Sequence, residues 1–153
     1  MTKSQRVKPV IKVAKNRESE AARVLADGQR VVQERRQRLA ELRSYREEYR
    51  NRYKKQGSVG MNAQQLRTFR NFLAKLDLAV EQQEQLVNAA QRDLEQKKSK
   101  WMEKHFRTKA LDNVRGRYLS QEQRAEQRAE QKESDERSQR ASGVKDDRSS
   151  SDE

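Results

Sequence analysis

Cysteine is absent from the 153 residues, and histidine occurs once, at His105. Disulfides and Cys/His zinc sites are therefore excluded within the chain, and an ordinary reducing compartment suffices. Aromatic residues make up 5% and hydrophobic residues 31%, with a mean hydropathy of -1.38, so the chain has too little apolar material for one thick globular core. A single proline and five glycines leave few places where a helix must stop. No run approaches the ~18 consecutive apolar residues of a membrane span. The basic N-terminus lacks a secretory h-region, because Lys12 and Lys15 interrupt Val10, Ile11 and Val13. These absences point to a cytoplasmic protein.

Charge is what the chain has in quantity: 36 Lys and Arg against 24 Asp and Glu, a net +12. Residues 1–61 carry 17 basic and 7 acidic side chains, residues 62–119 carry 12 and 7, and residues 120–153 carry 7 and 10. Two basic arms and a mildly acidic tail favour an anionic partner for the arms, whether an acidic protein surface, lipid headgroups or nucleic acid.

Apolar residues recur every seven positions. Ile11, Leu25, Val32, Leu39 and Tyr53 form one row, and Ala14, Ala21, Gly28, Leu42 and Tyr49 the next; Glu18, Arg35 and Arg46 interrupt them. Beyond Gly57-Ser58-Val59-Gly60, Leu66, Leu73, Val80, Val87, Leu94 and Trp101 form a third row. Phe69, Leu76, Ala90, Leu111 and Tyr118 form a fourth, with Gln83, Lys97 and Lys104 as polar members. A basic segment (1–9) thus precedes a first helix (10–56) opened by Pro9. A connection (57–62), closed by the helix cap Asn62, leads to a second helix (63–133). The near-duplicate Gln-Arg-Ala-Glu repeat at 123–130 has helix propensity but little to bury, and residues 134–153 read as a disordered polar tail.

The expected fold is all-α. Neither narrow apolar face sustains a helix alone, so the two helices close into an antiparallel coiled-coil hairpin. The second helix then overhangs from about residue 112. Facing positions have a constant sum of residue numbers, and the heptads allow sums near 115 or near 122. The first sets Leu42 against Leu73, Ala14 against Trp101 and Glu18 against Lys97. The second sets Tyr53 against Phe69, Ala21 against Trp101 and Glu18 against Lys104. The sequence leaves both open.

No catalytic constellation emerges. His105 has no second ligand at metal spacing, the carboxylates follow surface helix spacing beside cations, and the Gly57–Gly60 segment lacks the Lys-Ser/Thr of a nucleotide loop. No cofactor is expected and the chain reads as a non-enzyme. The arginines at 35, 36 and 38 and the lysines at 97, 98 and 100 are spread around packed helices rather than set in a basic-zipper arrangement, so they do not specify a nucleic-acid site. Tyr45 and Phe72 sit beside the heptad rows. With Leu42, Tyr49, Leu76 and Ala79 they make either a partner surface or a widened core.

Leu42-x-x-Tyr45-x-x-x-Tyr49-Arg50 before the break, and Phe72-x-x-x-Leu76-x-x-Ala79 after it, resemble the FliJ family of bacterial flagellar export proteins over roughly residues 10–118. The resemblance implies a stalk-like coiled coil of the flagellar type III export apparatus, resembling the stalk of rotary ATPases. Its implied partners are the hexameric export ATPase, the export-gate membrane protein and export chaperones, with peripheral association at the inner membrane through them. By position, Leu42, Tyr45, Tyr49, Phe72, Leu76 and Ala79, with Gln83 one turn on, correspond to the family's gate contact. Lys8, Lys12, Lys15, Arg17, Arg115 and Tyr118 are the residues expected toward the ATPase ring; the N-terminal cations among them also fit a purely solubilising surface. A virulence type III secretion stalk and a basic coiled-coil scaffold binding nucleic acid are the alternative readings.

Overall fold

The computed structural model describes residues 1–56 and 60–149. Two helices, α1 (Lys3–Gln56) and α2 (Ala63–Ser149), account for almost all of them, and no strand occurs among the described residues. Among the described residues no helix is long and apolar enough to cross a membrane. Positions 57–59 of the expected connection and 150–153 of the expected tail lie outside the described residues.

Both helices begin with reciprocal caps. Thr2 Oγ1 accepts from the Gln5 amide while Gln5 Oε1 accepts from the Thr2 amide. Asn62 and Gln65 exchange the same two bonds, so Asn62 caps α2 as its side chain predicts. The first box moves the start of α1 to Lys3, ahead of Pro9, which falls inside the helix instead of opening it. A cap that satisfies two orphan amides at residues 2–5 outweighs the one amide donor that Pro9 lacks.

The chain divides into two compact units, Arg17–His105 and Met1–Asn16 with Phe106–Glu153. In the first, α1 and α2 pack on each other through cross-helix pairs whose numbers fall on one helix as they rise on the other, the sign of opposite chain directions. Arg50 meets Asp77, Arg43 meets Glu84, Gln83 bonds the Arg35 carbonyl and His105 meets Glu18. The Tyr53–Phe69 stack at 4.3 Å and the approach of Leu94 to Gly28 select the register that sums to 122 and exclude 115. Aromatic residues and glycines are scarce, so matching Tyr53 to Phe69 and Gly28 to Leu94 decides what equivalent aliphatic layers leave open. Glu18 Oε1 lies 2.6 Å from His105 Nδ1, one residue beyond Lys104, the cation that this register sets against it.

Burial follows the heptads. Leu39, Val80 and Val87 form a core against which Leu42 packs, and Val80, 2% exposed, is the most enclosed. In heptad letters, α1 has a at 18, 25, 32, 39, 46 and 53 and d at 21, 28, 35, 42 and 49. α2 has a at 66, 73, 80, 87, 94 and 101 and d at 69, 76, 83, 90, 97 and 104, and each of these positions is buried or half-buried.

In the other unit Ile11, Ala14, Ser4 and Thr108 are buried. Ser4 donates from its amide and from Oγ to the Glu122 carboxylate, and Lys3 Nζ lies 5.7 Å from the centre of the Tyr118 ring. Tyr118 and Glu122 belong to the stretch that the heptad pattern leaves overhanging from about 112. The earlier start of α1 is what gives them partners. Residues 123–144 are all exposed, yet α2 continues through Ser149, beyond the boundary expected at 133. Local bonds support this stretch: Arg137 pairs with Glu133 and Gln131 with Asp135, each four residues apart.

Candidate functional site

The aromatic residues near the connection form one cluster within the Arg17–His105 unit. Tyr49 stacks on Phe69 (4.5 Å, 5°) and meets Phe72 at 4.6 Å and 61°, Tyr53 stacks on the same Phe69, and Tyr45 meets Phe72 edge-on at 6.2 Å. Such pairs contribute about 0.5–1.5 kcal/mol each beyond area burial. The heptads set this arrangement: Tyr49 and Phe69 are d residues, Tyr53 is an a residue, and Tyr45 and Phe72 flank them at g.

The expected gate-contact residues divide by depth. Tyr45 is 47% exposed, whereas Tyr49, Phe72 and Ala79 are half-buried. Leu76 is buried, Leu42 packs on the Leu39–Val80–Val87 core, and half-buried Gln83 donates Nε2 to the Arg35 carbonyl at 3.0 Å. Tyr45 and the outer edges of Tyr49, Phe72 and Ala79 are accessible, whereas Leu76 is buried and Gln83 is engaged by α1. Phe69 and Tyr53 complete the stack although the resemblance does not single them out, and their shared layer in the 122 register is the sequence signal for them. Arg46 and Arg50 both reach Asp77, at 3.4 and 3.3 Å, on the other side of the seam.

The expected ring-facing residues also separate. Lys8, Lys12 and Lys15 recur at helical spacing on α1 and line a groove of ≈ 630 Å³ together with Gln5, Pro9, Ile11, Asn16 and Arg115. No acidic side chain lines it. Arg115 Nε is one of two buried side-chain polar atoms without a hydrogen-bond partner among the described residues. A buried donor beside three lysines suits a carboxylate or another anion. Tyr118 lies elsewhere, under Lys3, and lines a neighbouring groove with Arg6 and Glu122. Arg17 belongs to the other unit.

The Ser4 hydroxyl, and after it the Ser4 amide, hold the Glu122 carboxyl below its ordinary value by bonding the charged form. Among the described residues no group of three or more His, Asp or Glu side chains is arranged to hold a metal ion. His105 is occupied otherwise, stacked on Trp101 at 5.0 Å and bonded to Glu18.

No curated protein and no solved structure matches the chain. The family described as Flagellar FliJ protein matches residues 3–146, from the first turn of α1 nearly to the end of α2. With nearly the whole chain matched, the protein belongs to the FliJ family and is thereby a component of flagellar protein export.

Proposed function

We propose that the protein is a non-enzymatic coupler of the flagellar type III export apparatus, an antiparallel hairpin that joins the export ATPase ring to the export gate and receives export chaperones. The observation that carries this reading is Tyr45, half exposed and edge-on to Phe72 at the rim of the aromatic cluster. A rigid aromatic anchor beside a half-buried Phe72 is the kind of residue that dominates a protein interface. In this reading Tyr45, Tyr49, Phe72 and Ala79 meet the export-gate membrane protein while Leu42, Leu76 and Gln83 fix their backing. The Lys8–Lys12–Lys15–Arg115 groove takes acidic side chains of the ATPase ring. The part of α2 past Glu122 forms the overhang. The chain sits at the cytoplasmic face of the inner membrane through these partners.

Tyr45→Ala tests the reading with little damage to the seam, whereas Tyr49→Ala removes two ring contacts and tests the fold as well. The purified cytoplasmic part of the gate protein should bind Tyr45→Ala at least about tenfold more weakly than wild type, with helicity unchanged. Equal affinities would reject the patch as the gate contact.

A further inference from the structure

Arg46 and Arg115 both occupy a positions of the heptad, and they differ in what answers their charge. Arg46, on α1, brings a terminal nitrogen to 3.4 Å from Asp77. Arg115, on α2, stands one heptad after buried Thr108 and one before half-buried Glu122. Its Nε is enclosed like that of Arg46 and has no hydrogen-bond partner, and no carboxylate of the described residues is within ion-pair distance of it. The nearest acidic residues in the sequence do not supply one. Glu122 takes both bonds of Ser4, and Asp112 is exposed and forms no ion pair among the described residues.

Arg115 borders the ≈ 630 Å³ groove of its unit, and every charged side chain lining that groove is a cation: Lys8, Lys12, Lys15 and Arg115 itself. The lysines stand four and three residues apart, so α1 presents them on one face, and Gln5 and Asn16 add amide groups at either end of the row. A half-buried guanidinium without a counter-charge costs stability, because nothing repays its desolvation. Heptad a positions ordinarily hold an aliphatic side chain instead. A cation kept in the seam beside three more, with no acidic side chain in the same groove, has the composition of an anion site.

We propose that this groove binds a diphosphate group, that of inorganic pyrophosphate or of a nucleoside diphosphate, with Arg115 as its anchoring donor and Lys8, Lys12 and Lys15 around it. Charge decides against a single carboxylate. One carboxylate neutralises one of the four cations, whereas two joined phosphates carry about three negative charges near neutral pH. Length agrees, since Lys8 to Lys15 covers about 10 Å of α1, more than one tetrahedral anion meets. The guanidinium fork suits phosphate oxygens, and the lysines act as point charges beside it. No aromatic side chain lines the groove, so the phosphates and not a nucleobase are what it recognises. The inference goes beyond the ring contact proposed for the same groove: a phosphate ligand competes there with carboxylates.

The test titrates the full chain by calorimetry at constant ionic strength. Pyrophosphate and ADP should bind at least tenfold more tightly than succinate, which carries two carboxylates. Arg115→Met puts a neutral side chain in the seam; without ligand it should melt at a higher temperature than wild type, and it should weaken pyrophosphate at least tenfold. Lys12→Gln with Lys15→Gln leaves the seam intact and should weaken pyrophosphate by a similar factor. Arg124→Gln with Arg128→Gln removes the same charge from the exposed part of α2 and should leave binding unchanged. Equal weakening by the two double variants would overturn the proposal as an effect of net charge, and so would binding indifferent to Arg115→Met. Succinate matching pyrophosphate would overturn it in favour of acidic side chains, and phosphatidylglycerol vesicles binding where pyrophosphate does not would overturn it in favour of a lipid surface. The ATPase ring is absent from these titrations, so their failure leaves the ring contact standing, and failure of the ring contact leaves them standing.

Discussion

Val80 and Ser4 occupy equivalent a positions in two units that solve the same packing problem differently. Around Val80 the Arg17–His105 unit encloses Leu39 and Val87, with stacked aromatic rings nearer the connection. Around Ser4 the other unit depends on two hydrogen bonds to Glu122 and on a lysine over Tyr118, with Ile11 and Ala14 as its buried apolar residues. Apolar packing is nondirectional and insensitive to pH, whereas a carboxylate bridge depends on ionisation. The first unit combines apolar layers with ion pairs along one flank, and the second adds a carboxylate bridge to a smaller set of buried apolar residues. The groove lined by Lys8, Lys12, Lys15 and Arg115 is in the second.

The largest expected effect breaks the apolar side of this contrast. Val80→Asp buries a carboxylate without a partner and should cost about 3 kcal/mol or more, read as a lower urea midpoint by far-ultraviolet circular dichroism. A loss under about 1 kcal/mol would mean that the Leu39–Val80–Val87 cluster is not the core. Gly28→Ala sharpens the contrast with the opposite sign. An added Cβ meets the Lys97 Cδ at 3.0 Å and the Leu94 Cδ1 at 3.4 Å. The nearer contact is part of a flexible side chain, so the gain in helix propensity should win. A stabilisation of about 0.5–1 kcal/mol, seen as a higher melting temperature, is expected; a lower one would show that α1 and α2 need glycine there to approach.

The smallest effect concerns the charged side. Glu122 titrates below its ordinary value because Ser4 bonds its ionised form. Its contribution to stability is therefore complete above the ordinary glutamate value and is lost as pH falls through the lowered one. Ser4→Ala removes the larger cause and should move the Glu122 carboxyl resonance back toward ordinary glutamate in an NMR titration. An unmoved midpoint would break the assignment of that bridge.

The aromatic patch was legible because Tyr45 and Phe72 depart from the heptad rows by one residue, and an apolar side chain at g is conspicuous in a chain so rich in charge. Its depth was not: a periodic pattern shows which side a residue faces, not that Leu76 is buried while Tyr45 is half exposed, or that Gln83 bonds a carbonyl of the other helix. The residues expected toward the ring are cations apart from Tyr118, and charge alone cannot tell that Lys8, Lys12, Lys15 and Arg115 share a groove while Arg17 belongs to another unit.

Heptad spacing, scarce breakers and the absence of cysteine determined by themselves an all-helical chain, its buried rows and its capping Asn62, because these are consequences of local geometry and apolar periodicity. Tertiary structure alone decided between the 115 and 122 registers. It also decided which cations converge. Sliding one helix by a heptad leaves the pattern of each unchanged, so only the fit of rare side chains, Tyr53 on Phe69 and Leu94 over Gly28, distinguishes the two alignments.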